Sequence, residues 1–244
     1  MRKMAGKLTL IPTPIDEETP LDSAARTLLL SAFEKEREKS IFAIEDIRPG
    51  RRRWLRFGLP REAVDNLVQY NEHTREKESG RLIELMQQGM NVYLMSDGGL
   101  PAFCDPGQEL VALCHHHKIK VTASSFANST LLALALSGFS HKKFVFEGFL
   151  SAKKEERFGE LERLCKDKRT IILMDTPYRL KQLLEDLSLA LEKQGQPDRR
   201  VFLALDLNAA NEALYLGTVE ALRAGINYEK REFILVLDCL RPFP

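Results

Sequence analysis

The sequence predicts an α/β protein of two α/β domains, the first with a mostly parallel sheet and the second with a mixed sheet. Three observations carry this reading. Up to residue 122, short apolar runs alternate with amphipathic segments, strand then helix, which is the order of a parallel sheet with helices on its faces. Small polar residues interrupt the pattern at Ala123–Asn128, so the domains are read as 1–122 and 123–244. Beyond residue 200 the apolar runs follow one another closely, which argues for antiparallel strands.

Each element has a local reason. Lys7–Ile11 is a short apolar strand stopped by Pro12-Thr13-Pro14, because proline brings no amide donor to a ladder. Asp22 or Ser23 caps a helix reaching about Lys39, with Ala25, Leu28, Leu29 and Ala32 on one face. Ile41–Ile44 is a strand that runs straight into Glu45-Asp46-Ile47-Arg48. Asn66–Tyr70 reads as a weaker strand, and Arg81–Gln88 as a helix closed by Gly89. Val92–Met95 is a buried strand opening into Ser96–Gly107. A helix over Gln108–His117 and a strand over Lys120–Thr122 complete the first domain. The second domain reads as a helix over Ser129–Ser137, a strand over Phe144–Phe149 and a charged helix over Ala152–Lys168. A buried strand follows at Thr170–Asp175, then a helix over Tyr178–Glu192 with Leu180, Leu183, Leu184 and Leu187 on one face. Arg200–Asp206, Glu212–Leu216 and Phe233–Cys239 are the last strands.

Composition narrows the function. The 244 residues suit two domains of about 120 residues each. Hydrophobic residues at 44% and charged residues at 29% exclude a disordered chain. With 36 basic and 35 acidic residues the net charge is +1, so only a local basic patch can grip nucleic acid. The longest strictly apolar run, Leu131–Leu136, is far short of the roughly 20 residues of a membrane span. The segment Met1–Ile11 lacks the apolar core of a secretory signal, so the expected location is the cytoplasm. Cys104, Cys114, Cys165 and Cys239 lie far apart without a CxxC pair and read as free, mostly buried thiols.

Ligands of open α/β sheets bind beyond the carboxyl ends of strands. Three first-domain loops leave such ends: 12–19, 45–50 and 96–107. In the last, Gly98 and Gly99 allow close backbone approach, Pro101 and Pro106 stiffen the chain, and Gly107 precedes a helix N-terminus. Glu45-Asp46 is a carboxylate pair followed by Arg48, Arg51, Arg52, Arg53 and Arg56, with Trp54 among them. On a helix Arg48, Arg52 and Arg56 share one face; arginine forks bind phosphate, and Trp54 could stack a base. A solvated basic helix paired with nearby glutamates explains the same run. The three adjacent His115-His116-His117 point about 100° apart on a helix and cannot converge on one ion, so no metal site is expected. Asp175-Thr176-Pro177-Tyr178-Arg179 ends a buried strand, either as a plain turn or as part of a site. No P-loop, GxGxxG or Ser-His-Asp order is present.

The loop series Gly6–Ile15, Glu45–Arg48, Asn71–Thr74, Ser96–Gly107, Gly148–Leu150 with Lys153, Lys154 and Arg157, and Asp175–Arg179 resembles the tetrapyrrole (corrin/porphyrin) methylase superfamily. Its nearest branch contains the bacterial 16S ribosomal-RNA ribose 2′-O-methyltransferase. The resemblance implies S-adenosylmethionine bound in a cleft between two α/β domains, in a homodimer. It places cofactor contacts on Pro12, Pro14, Asp97, Gly98, Gly99, Leu100, Phe103, Ser129, Thr130, Met174 and Asp175. It points to RNA as the acceptor, with a tetrapyrrole as the alternative; a non-catalytic RNA- or partner-binding protein on the same fold is the rival from another class. Glu45 and Arg48 are then the candidate catalytic residues, and Arg52 and Arg56 the candidate substrate grip. The chain departs from the family at Asp16-Glu17, where Gly-Asn is usual, at Phe126–Ser129 and at Leu205–Ala209, and it ends where that branch carries a small C-terminal extension.

Overall fold

A computed structural model describes residues 5–125 and 128–240. The chain divides into two compact units, Met1–Phe126 and Ala127–Pro244. Phe126 and Ala127, part of the family-divergent stretch noted above, lie outside the described residues.

The first unit is built on five strands: β1 (Lys7–Ile11), β2 (Ser40–Ile44), β3 (Val68–Gln69), β4 (Asn91–Met95) and β5 (Lys120–Ala123). Their order is β3-β2-β4-β1-β5, and every pair is parallel. Alternation along the strands splits the core between two faces. Ile11, Phe42, Ile44, Tyr93 and Met95 pack against α1 (Ser23–Glu36) and α2 (Ile47–Arg56). Leu8, Ala43, Val92 and Leu94 pack against α3 (Arg75–Gln87) and α4 (Gln108–His116). Asp22 is the cap of α1, its carboxylate accepting the Ala24 and Ala25 amides. Gly50 lets α2 press onto β2, since a Cβ there would sit 2.6 Å from the Ile44 side chain.

Several expectations are corrected. The weak strand 66–70 is only Val68–Gln69, because a 3₁₀ turn occupies Arg61–Asn66. The third helix begins at Arg75 rather than Arg81; its acidic first turn, Glu76 and Glu78, suits a helix N-terminus. Cys104 is exposed, whereas Cys114 and Cys165 are buried.

The second unit carries β6 (Phe144–Gly148), β7 (Thr170–Asp175), β8 (Arg200–Leu205), β9 (Ala213–Thr218) and β10 (Phe233–Leu237) in the order β6-β7-β10-β8-β9. Only β6 and β7 pair in parallel; the other three pairs are antiparallel. One face packs against α6 (Lys154–Cys165), α7 (Leu180–Lys193) and α8 (Val219–Gly225), the other against α5 (Ser129–Ser137). The short helix α8, capped by Thr218, is absent from the sequence reading, and α6 is shorter than its charged run suggests. Among the described residues no helix is long and apolar enough to cross a membrane.

Candidate functional site

Strands β1 and β4 are neighbours, yet the chain leaves β1 toward β2 on one side and leaves β4 toward β5 on the other. That makes their carboxyl ends a topological switch point, where open α/β sheets take ligands. The two loops there are joined. The amides of Thr13 and Gly99 each donate to the other's carbonyl at 2.9 Å. The Thr13 hydroxyl donates to the Ser96 carbonyl at 3.0 Å, and the Ser96 hydroxyl to the Gly99 carbonyl at 3.1 Å. The main chain of Gly99 is therefore engaged within the protein, by Thr13 and Ser96. Gly98 is close-packed too: a Cβ would lie 3.2 Å from the Ile15 carbonyl oxygen. The loop is strained, with Ala102 and Cys104 at φ of 68° and 65° on either side of Phe103, and Gly107 at 134°.

Carboxylates gather at this end of the sheet. Glu45, leaving β2, accepts the Asp97 amide at 3.0 Å and so anchors the start of the loop. Burial, then the nearby Glu45 charge, pushes the Asp97 carboxyl up to about 6. Burial and the same Glu45 charge push Asp105 up to about 7, and its Oδ2 is enclosed without a hydrogen-bond partner. The sequence reading missed Asp105 as a site residue. The available signal was a carboxylate inside a Gly/Pro-rich loop after a buried strand.

The arginine run divides as helical geometry requires. Arg48, Arg52 and Arg56 are exposed along one face of α2, and Arg52 pairs with Glu17. Arg53 points inward, 7% exposed, and its Nη2 donates to the carbonyls of Pro14 and, at 3.3 Å, Asp16. It thus holds the turn after β1. Its signal is the buried stripe Gly50, Arg53, Trp54 and Phe57 at helical spacing. Trp54 is fully buried, edge-on to Phe42, with its indole N–H donating to the Pro60 carbonyl at 2.8 Å. It is a core residue and not a base-stacking one, contrary to expectation. Pro12 is buried, Pro14 half-buried, Leu100 partly exposed and Phe103 exposed.

A cavity of about 670 Å³ opens beside the same loop, walled by Glu72, Arg75, Cys104, Asp105 and Glu109. Among the described residues no His, Cys, Asp and Glu group could hold a metal ion, and His115–His117 lie exposed at the end of α4.

In the second unit, α5 starts under an Asn128 cap, with Thr130 buried beside it and Ser129 half-buried. Met174 packs on the α5 face of the sheet. Asp175, one residue on, turns to the opposite face, buried and paired with Arg179 at 3.2 Å. Burial raises its carboxyl above the ordinary range, and Oδ2 makes no hydrogen bond. The two neighbours therefore offer different chemistry, a thioether on one face and a carboxylate on the other. Arg157, 2% exposed, pairs with the buried Asp186 at 2.7 Å and donates to the Ser151 and Ala152 carbonyls.

Comparison with known proteins gives consistent findings. Residues 26–223 match the family model described as Tetrapyrrole (Corrin/Porphyrin) Methylases. A Synechocystis protein named ribosomal RNA small subunit methyltransferase I is 38% identical over 177 residues, 72% of this chain and 62% of that protein. Proteins of the same name from Halalkalibacterium halodurans and Bacillus subtilis are each 34% identical, matching 96% of this chain and 76% and 75% of their own lengths. Among solved structures, diphthine synthase superposes with a TM-score of 0.64 at 13% identity, covering 96% of this chain and 90% of that one. Cobalt precorrin-4 methyltransferase, a cobalamin biosynthetic enzyme, gives 0.56 at 15% identity, with 95% and 94% covered. These two likenesses concern the fold.

Proposed function

The chain belongs to the tetrapyrrole (corrin/porphyrin) methylase family, and from that premise we propose that it is an S-adenosylmethionine-dependent methyltransferase acting on a ribose 2′-hydroxyl of ribosomal RNA in the cytoplasm. The observation that carries the reading is the pair of joined loops at the β1/β4 switch point, lined by the raised carboxyls of Asp97 and Asp105. The relatives' printed names point to ribosomal RNA.

The residues fit the cofactor by their charge. A ligand carrying a sulfonium and an ammonium is welcome among Glu45, Asp97 and Asp105, and carboxylates also accept from ribose hydroxyls. Pro12, Pro14, Gly98, Leu100 and Phe103 supply apolar and backbone surface for the adenosine in the first unit. Gly99 acts through Thr13, fixing the loop. Ser129, Thr130, Met174 and Asp175 are the second unit's candidates. When bound, the cofactor supplies an already activated methyl group. The protein's work is to position the acceptor, exclude water and take a proton. Glu45 positions Asp97 through the amide it accepts. Asp97, pushed up to about 6, is poised to take the proton of a hydroxyl near neutral pH. Arg48, Arg52 and Arg56 grip phosphates from the exposed face of α2. A homodimer is part of the same reading, tested by light scattering at twice 27.8 kDa.

Calorimetric titration with S-adenosylmethionine tests the site. A cation favours the ionised carboxyls, so binding releases protons and affinity rises with pH between about 5.5 and 8. The double variant Asp97→Asn with Asp105→Asn binds more weakly and loses that dependence. Wild-type affinity in the double variant refutes the assignment.

A further inference from the structure

We propose that the strand-end loops of the second unit form a platform for single-stranded RNA, with Tyr178 and Phe149 stacking unpaired bases and Lys154, Lys181 and Lys230 meeting phosphates. This deepens the reading of RNA as the acceptor and rests on it.

The platform follows from the topology. Strand β6 ends in an irregularity between Phe146 and Gly148, with Gly148 at φ 72°, which turns the chain out of the sheet. The next residue, Phe149, is 50% exposed. The neighbouring strand β7 ends at Asp175 and passes into a 3₁₀ turn, Pro177–Arg179, whose Tyr178 is 76% exposed. Arg179 ties the two loops together, donating to the Leu150 carbonyl at 3.1 Å and the Ser151 carbonyl at 2.7 Å. Each aromatic is thus one residue from a joined pair. On the other side of β7, β10 runs antiparallel with Phe233 opposite Asp175, so the chain entering β10 crosses the end of β7. That brings the Lys230 ammonium to 4.6 Å from the Tyr178 ring centroid.

Neither aromatic contributes to the core, and the lysines are not placed for helix stability. Lys181 lies in the first turn of α7, which has no acidic residue there, so its charge opposes the helix dipole. Lys154 opens α6 and is exposed, while Lys153 beside it pairs with Glu156 at 2.8 Å. Exposed aromatic rings interleaved with ammonium groups suit an anionic backbone carrying free planar bases. A duplex hides its base faces, so the surface selects single strands.

The chain's single tryptophan, Trp54, is fully buried, so Tyr178→Trp adds a separable surface reporter. A single-stranded decaribonucleotide is expected to quench the new emission, and the same strand in a duplex to leave it largely unchanged. Tyr178→Ala and Phe149→Ala each weaken single-strand binding roughly 5- to 100-fold, Tyr178→Phe restores it, and changing the three lysines to Gln flattens the salt dependence. Equal binding of duplex and single strand, or unchanged affinity in Tyr178→Ala, overturns the platform. Quenching reads binding alone, so it decides the platform whether or not RNA is the methyl acceptor. Labelled methyl transfer separates the two ideas: a wild type that methylates RNA beside a Tyr178→Ala variant with unchanged KM removes the platform and keeps the acceptor.

Discussion

Replacing Asp105 by Asn separates the stability effect of this carboxyl from its use. Its folded value of about 7 stands well above the ordinary 3.8. The native state therefore holds a proton that the unfolded chain has lost between those values. This group's contribution to stability is fullest below about pH 4 and is lost as pH rises through about 7. Carried over in full, the displacement would be worth about 4 kcal/mol. Solvent on one side of the group and its coupling to Asp97 reduce this to about 1–2 kcal/mol. Asparagine keeps the shape and removes the charge, so the variant is more stable than wild type at pH 8 by that amount, and no more stable at pH 4. Urea unfolding at the two pH values reads the difference. S-adenosylmethionine affinity falls in the same variant. An unchanged pH dependence of stability refutes the enclosed carboxyl and its raised value.

Three further outcomes follow from buried and exposed side chains. Arg157→Leu strands the buried Asp186 and destabilises by about 3–5 kcal/mol, with much of the loss recovered when Asp186→Leu is added; thermal unfolding checks both. Trp54→Ala removes a fully buried ring and lowers stability by about 3–5 kcal/mol, while filter binding gives an unchanged RNA affinity wherever the fold is retained. Reversing Arg48, Arg52 and Arg56 to Glu together weakens RNA binding and reduces the slope of log affinity against log salt by about three, with cofactor affinity unchanged by calorimetry.

The frame of the protein was legible because alternation and helical spacing are local signals. Ile11, Phe42, Ile44, Val92 and Leu94 face the sides that strand periodicity assigns them. The loops were legible as places where chemistry could occur, since Gly, Pro and carboxylates cluster after strands. What each loop residue does was not. Gly99 reads as open backbone until Thr13, which lies 86 positions earlier in the chain, arrives to take both its peptide groups. Arg53 reads like its four neighbours until helix geometry turns it inward. Trp54 reads as a stacking ring until Phe42 and the Pro60 carbonyl enclose it. Asp105 acquires its raised carboxyl from burial in the folded loop and then from Glu45, which folding brings near it. In each case the deciding contact comes from the tertiary fold.

The central claim is methyl transfer to RNA ribose. The direct measurement incubates the protein and methyl-labelled S-adenosylmethionine with unmodified small-subunit ribosomal RNA, free and in ribosomal subunits, and in parallel with a carboxylated tetrapyrrole. The RNA is then digested to nucleosides. Label is expected in a single 2′-O-methylnucleoside, with a rate that falls strongly in Asp97→Asn. Label in a base, label only in the tetrapyrrole, or no transfer by a protein that binds the cofactor would contradict it.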